Sequence, residues 1–316
     1  MSDLESTPQE PQHNPFTAPE VSTPQIWQTS DAPAELFQSW SQPEAVPPTR
    51  IPHLGHLCVL ALLAAIGFVC ATIVMLVAIY FHLFGVASID KAATEVHYIL
   101  GAEAIIYLVS LGLSFIVFPL WWKKSFFAGI HWRGATALRL YWQLGAIAVG
   151  CFALAMLDET LLPGPSNVPI EDIFRSPGAA WLMFAFGVTF APFFEEVAFR
   201  GFLLPSLATA CDWIGERFNH QPLRPLDEND HPHWSMPAMV IASIATSLPF
   251  ALIHAEQQGH ALGPFLLLIV VSLILCAVRL KTRSLAASTL VHACYNFLIF
   301  FFMLIGTGGF RHLEKM

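Results

Sequence analysis

Seven apolar stretches, each about long enough to cross a bilayer, constrain this chain more than any other feature. They lie at roughly 57–84, 97–122, 139–157, 178–210, 236–254, 262–280 and 284–306. A helix needs about 20 apolar residues to cross a hydrocarbon layer of about 30 Å. Within that layer no water is present to satisfy backbone N–H and C=O groups, so each segment must pair its own, as a helix does. The fourth stretch is too long for one simple crossing, and Pro192 divides it. A half-helix or interfacial piece is expected there. The predicted fold class is therefore all-α: a polytopic membrane helical bundle of about seven to eight transmembrane helices with a disordered N-terminal tail.

Composition agrees with this reading. Of 316 residues, 55% are hydrophobic and 12% charged, whereas a soluble domain is nearer a quarter charged. The formal net charge of −8 does not describe an acidic soluble surface. Asp3, Glu5, Glu10, Glu20, Asp31, Glu35 and Glu44 all fall in the first 49 residues, which contain no Lys or Arg. No basic patch of the kind that nucleic acid requires is present. None of the six cysteines forms a C-x-x-C pair and most sit in apolar runs, so they are expected to be small buried hydrophobes.

Residues 1–52 carry Pro8, Pro11, Pro15, Pro19, Pro24, Pro33, Pro43, Pro47, Pro48 and Pro52 with few apolar residues, and are expected to be disordered. No basic region followed by an apolar stretch opens the chain, so no cleavable signal peptide is expected and the first apolar run should stay as an anchor. The expected organisation is a tail (1–52), N-terminal transmembrane helices (53–138), a membrane-embedded core (139–306) and a short C-terminal tail (307–316). Lys and Arg set the orientation. With the N-terminus in the cytoplasm, Arg50, Lys123, Lys124, Arg133, Arg139, Arg217, Arg224, Arg279, Lys281 and Arg283 fall inside, against Lys91, Arg175, Arg311 and Lys315 outside. The expected location is a bacterial plasma membrane, multi-pass. The polar run Asp227–His233 reads as a solvated loop rather than a metal site.

Ionisable residues within spans are costly and therefore informative. Glu195, Glu196 and Arg200 are flanked by Trp181–Phe194 and Val197–Leu204. Together they imply a penalty of roughly 8–10 kcal/mol before compensation. Glu196 and Arg200, four apart, share a helix face and can pair. Glu195 is rotated by about 100° and is free to face a polar cavity. A helix starting near Pro192 would present its positive dipole end to these acids. In the next span Phe250 and His254 share a face; in the last, His292 and Asn296 do. His254 alone reads first as a hydrogen-bonded interfacial residue, and the His292–Asn296 pair alone reads equally as helix–helix hydrogen bonding. Together they make one polar centre. A carboxylate and a neutral imidazole can hold a water and take its proton. A second imidazole and an amide can donate to a developing oxyanion.

These residues form three motifs, E-E-x-x-x-R (Glu195, Glu196, Arg200), F-x-x-x-H (Phe250, His254) and H-x-x-x-N (His292, Asn296), in order on apolar segments. In this the chain resembles the CPBP intramembrane proteases, the CAAX prenyl endopeptidase and bacteriocin-processing group also called Abi, over roughly 140–306. The resemblance implies a membrane-embedded endopeptidase in which Glu195 activates water and His254 helps to hold it. His292 and Asn296 would form the oxyanion site, and Glu196, Arg200 and Phe250 would be supporting residues. It implies membrane lipid and a peptide or protein substrate as partners, in part of the family one with a prenylated C-terminus. No cofactor is expected. Zinc is the one candidate, since Glu195, His254 and His292 are suitable ligand types, though no H-E-x-x-H pair is present. Two other readings are a non-catalytic scaffold or bacteriocin self-immunity protein, suggested by the proline-rich tail, and a proton-coupled transporter. For transport Glu103 adds an intramembrane acid, but no inverted repeat accompanies it.

Overall fold

A computed structural model describes residues 50–162, 177–222, 224–227, 231–255 and 257–311. The proline-rich tail up to residue 49, most of the acidic loop at 158–176 and residues 312–316 lie outside the described residues. Among the described residues every regular element is helical, and the only β pairing is one isolated bridge between Leu226 and Pro232.

The spans are α1 (Leu54–Tyr80), α2 (Val96–Trp122), α3 (Tyr141–Leu161), a long rod, α7 (Met236–Ala255), α8 (Leu262–Thr282) and α9 (Leu285–Gly306). The rod comprises α4 (Pro177–Val188), α5 (Phe190–Glu196), a π-helical turn (Val197–Leu203) and α6 (Leu204–Phe218). Seven helices among the described residues are long and apolar enough to cross a membrane, the rod counted as one Gly178–Phe218 span of 41 residues. At 1.5 Å per residue it is about 60 Å long, about twice the hydrocarbon thickness.

The rod breaks where proline requires, but earlier than the sequence suggests. Pro192 has no N–H to offer and its ring crowds the carbonyl four residues back, at Val188. The helix is interrupted at Thr189 (φ −116°, ψ −70°), and Pro192 occupies the third position of α5. Glu195 and Glu196 therefore sit in the second turn of α5, past the first turn in which a helix dipole acts strongly. The dipole expected to steady these acids is not what holds them. After Glu196 the chain widens into the π turn, a departure that is rare and often found at functional sites.

Packing places the polar segments inside. Leu144, Ala148 and Cys151 of α3 meet Leu275 of α8 and Ala287 and Val291 of α9. Small side chains let these helices approach closely. A second cluster, Phe118, Trp122, Phe126, Ile130 and Phe202, ties α2 and the loop after it to the π turn. Outward faces carry Phe68, Ile73, Leu120, Ile244 and Phe302, all exposed, as lipid-facing surfaces require. All six cysteines are free, but only Cys151 and Cys276 are buried, and Cys58 is exposed.

Basic residues gather at one end of this unit. Arg50 pairs with Glu216 at 2.7 Å and Arg283 with Asp227 at 2.6 Å. The His131 carbonyl accepts from the Leu285 amide at the start of α9. The loop expected to be solvated at 227–233 is only partly so. His231 is buried and stacks on His131 with ring centroids 3.8 Å apart; residues 228–230 lie outside the described residues.

Candidate active site

The first-motif acids, from α5, point at two different groups. Glu196 is fully buried, and its Oε1 accepts from Arg200 Nη1 at 2.8 Å. The guanidinium is fully buried too. It also donates to the Ser272 hydroxyl of α8 at 2.7 Å and carbonyl at 3.2 Å, and lies over the Phe250 ring at 4.5 Å. Two buried ions are tolerable only when each is paired and hydrogen-bonded. Arg200 meets that condition through Glu196 and α8 together.

The same Glu196 oxygen lies 3.2 Å from His292 Nδ1. A carboxylate can only accept, so Nδ1 carries the proton and Nε2 is turned towards Glu195. On α7, His254 Nδ1 lies 2.8 Å from the Phe250 carbonyl, which fixes its tautomer in the same way. The two Nε2 atoms then face the Glu195 carboxylate from both sides. His254 Nε2 is 3.8 Å from Oε1, and His292 Nε2 is 3.7 Å from Oε2. These separations are too long for direct hydrogen bonds. They are the right base for a triangle with a water about 2.8 Å from each of two atoms at its apex. Phe250 packs beside both imidazoles, at 4.8 Å from His254 and 5.8 Å from His292.

The three motifs thus meet: Glu195, His254 and His292 converge, with Glu196, Arg200 and Phe250 around them. Asn296, one turn beyond His292 on α9, makes a different contact. Its amide donates at 2.8 Å to the Gly187 carbonyl of α4, beside the break at Thr189. One of its two N–H bonds is therefore used to tie α9 to α4.

Three features were not legible in the motifs. Ser272 is the lone hydroxyl in the apolar core of α8 and holds Arg200; its isolation in that run was the available signal. Glu196 serves His292 as well as Arg200, which spacing along one helix cannot reveal. Glu103, read as a separate intramembrane acid, accepts from Tyr107 and lies within electrostatic reach of Glu195 and His254. Tyr107 stacks on Phe194 at 3.9 Å. An apolar cavity of about 410 Å³, lined by Tyr107, Leu111, Thr189, Phe190, Phe193 and Phe194, opens beside the residues just before Glu195.

Glu195, His254 and His292 are side-chain types that zinc takes. Among the described residues, however, no group of three His, Cys, Asp or Glu side chains is gathered closely enough to hold a metal ion. No step below is routed through one.

Fold and site define a multi-pass helical membrane protein with a buried carboxylate–imidazole centre. Residues 177–298 match the family model described as Type II CAAX prenyl endopeptidase Rce1-like, so the likeness to the CPBP/CAAX proteases holds across all three motifs. That family is one of endopeptidases, and this region of the chain is similar to it. No curated protein and no solved structure matches the chain.

Proposed function

We propose that the chain is an intramembrane endopeptidase in which Glu195 is the general base. The observation that carries this reading is the Glu195 carboxylate set between two imidazole nitrogens, 3.8 Å from His254 and 3.7 Å from His292. A carboxylate and an unprotonated Nε2 are both acceptors, and a water with two hydrogens satisfies them. Its oxygen lone pair attacks the peptide carbonyl carbon while Glu195 takes one proton. The carbonyl oxygen becomes an oxyanion, met by the free Asn296 amide hydrogen and by His292 Nε2–H, in a ring that takes its second proton from solvent before the step and keeps it throughout. Glu196, accepting from Nδ1, holds the ring so that Nε2 faces the site. The C–N bond then breaks as Glu195 returns its proton to the leaving nitrogen. One carboxyl end and one amine end result.

The substrate class that suits the surroundings is a peptide carrying a lipid, such as a prenylated C-terminus. The apolar cavity of about 410 Å³ beside the acids supplies a wall for an isoprenoid chain. The Lys and Arg distribution argues for an N-terminus in the cytoplasm.

The test uses the purified full chain in lipid nanodiscs with a farnesylated peptide whose cleavage is followed by mass spectrometry. Glu195→Gln and His292→Ala should each abolish measurable cleavage while the protein stays folded. Cleavage by either variant at near wild-type rate would refute the mechanism. A chelator arm separates the metal-free route, which it should leave active, from a metal-dependent one.

A further inference from the structure

A second polar centre, made of residues outside the motifs, lies at the basic end of the bundle. Arg279, near the C-terminus of α8, is almost fully buried (2% exposed). Its guanidinium meets His131 Nδ1 at 3.4 Å, and its Nε has no hydrogen-bond partner among the described residues. No carboxylate pairs with it among the described residues. This is unlike Arg200, held by Ser272 seven residues earlier on α8, whose charge is matched by Glu196. The acid within electrostatic reach of Arg279, Glu196, is already paired with Arg200, and a buried guanidinium with no acid in contact is costly.

Arg279 lines a cavity of about 330 Å³ with His231, His233, Trp234, Lys281 and Arg283. Of these cations, Arg283 is spoken for by Asp227 at 2.6 Å. His231 Nε2 is buried and unpartnered as well. Among the described residues the lining carries three cations, Arg279, Lys281 and Arg283, and no acid. His231 is held well below the usual histidine range, to about 4, by burial and by the nearby Arg133 and Arg279 charges. The cavity lies where α8 ends and α7 begins, at a membrane boundary. Basic pockets between spans at such boundaries suit lipid head groups.

We propose that this cavity binds a phosphate-bearing anion, either the head group of an anionic phospholipid or a soluble phosphate. The Arg279 guanidinium would present its planar fork to two phosphate oxygens. Lys281 would add a point charge at the mouth. The neutral His231 would have an oxygen partner for its ring N–H when its proton sits on Nε2. A phosphate fits this better than an apolar chain, because the lining is rich in donors. The site is independent of the proposed hydrolysis, since none of its residues belongs to the motifs.

The probes are phosphatidylglycerol and inorganic phosphate. The full chain is placed in phosphatidylcholine nanodiscs, with or without about a fifth phosphatidylglycerol, and separately titrated with phosphate at constant ionic strength. Binding is read by thermal stability and by the imidazole NMR signals of His231. A rise in melting temperature with a shift of the His231 signals, from either probe, supports the site. Response to phosphatidylglycerol alone identifies a lipid; response to phosphate alone, a soluble anion. Lys281→Gln with His233→Gln alters only the cavity mouth and should weaken the response several-fold. Arg279→Gln should remove it. If neither probe moves the wild-type protein, the proposal fails. It also fails if Lys281→Gln with His233→Gln and a folded Arg279→Gln both respond as wild type does. Cleavage by the Lys281 and His233 variant should persist, so failure here is distinguishable from failure of the protease reading.

Discussion

Replacing Arg200 by Met tests whether the first motif is held as a buried ion pair. The substitution keeps most of the side-chain volume and removes the charge. It leaves Glu196, which is fully buried, without its 2.8 Å partner, and strips Ser272 of two hydrogen bonds across helices. Removing one member of a buried pair costs about 3–5 kcal/mol, because the survivor is an uncompensated charge. The Ser272 hydroxyl adds about 1 kcal/mol more if it finds no new partner. These effects share one network and will not simply add. A loss of about 3–5 kcal/mol is the expected outcome. It is measured by reversible unfolding in mixed micelles with increasing denaturing detergent, followed by helical circular dichroism. Adding Glu196→Gln removes the stranded charge, so the double variant should be more stable than Arg200→Met alone. A loss below about 1 kcal/mol, the range of exposed pairs, would refute this account of the pair. So would a double variant no better than the single one.

Three further outcomes follow from particular contacts. Glu195→Gln should lower the cleavage rate by about 10²–10⁴-fold, about 3–5 kcal/mol of barrier, while changing stability little, because its imidazole neighbours lie beyond hydrogen-bonding distance; kinetics and melting on one preparation separate the two. His231, at about 4 in the fold against about 6.5 unfolded, binds more protons when unfolded in between. Its contribution to stability should therefore be lost as pH falls from about 6.5 towards 4, and His231→Gln should flatten that part of the stability–pH curve. Gly67→Val should weaken the α1–α2 contact, since even a Cβ there would stand 2.8 Å from the Ile106 carbonyl oxygen and 2.9 Å from Ser110 Oγ. Overpacking of this kind costs about 1–3 kcal/mol, read as a lowered melting midpoint.

Much of the architecture was legible without coordinates. Long apolar runs have one stable solution in a bilayer, so the spans followed from length and hydropathy alone. Pairs four apart on one helix, Glu196 with Arg200 and Phe250 with His254, were legible too, because helical geometry fixes them locally. The rod was less so. Pro192 announced a break, and its ring against the Val188 carbonyl puts that break at Thr189, but nothing in the sequence announced the π turn after Glu196.

What the sequence determined by itself is which side chains are too polar for lipid and must therefore turn inward together. It could not determine how they would be shared. That His292 stands between both acids, that Asn296 spends an N–H on Gly187, and that Arg200 leans on Ser272 of another helix are all contacts between segments far apart in the chain. The same holds for Arg279, which reads as one more topogenic cation until the fold buries it beside a cavity. Helical periodicity operates over one or two turns. Distances between helices are set by which small residues let them approach, and that is decided only when the whole bundle packs.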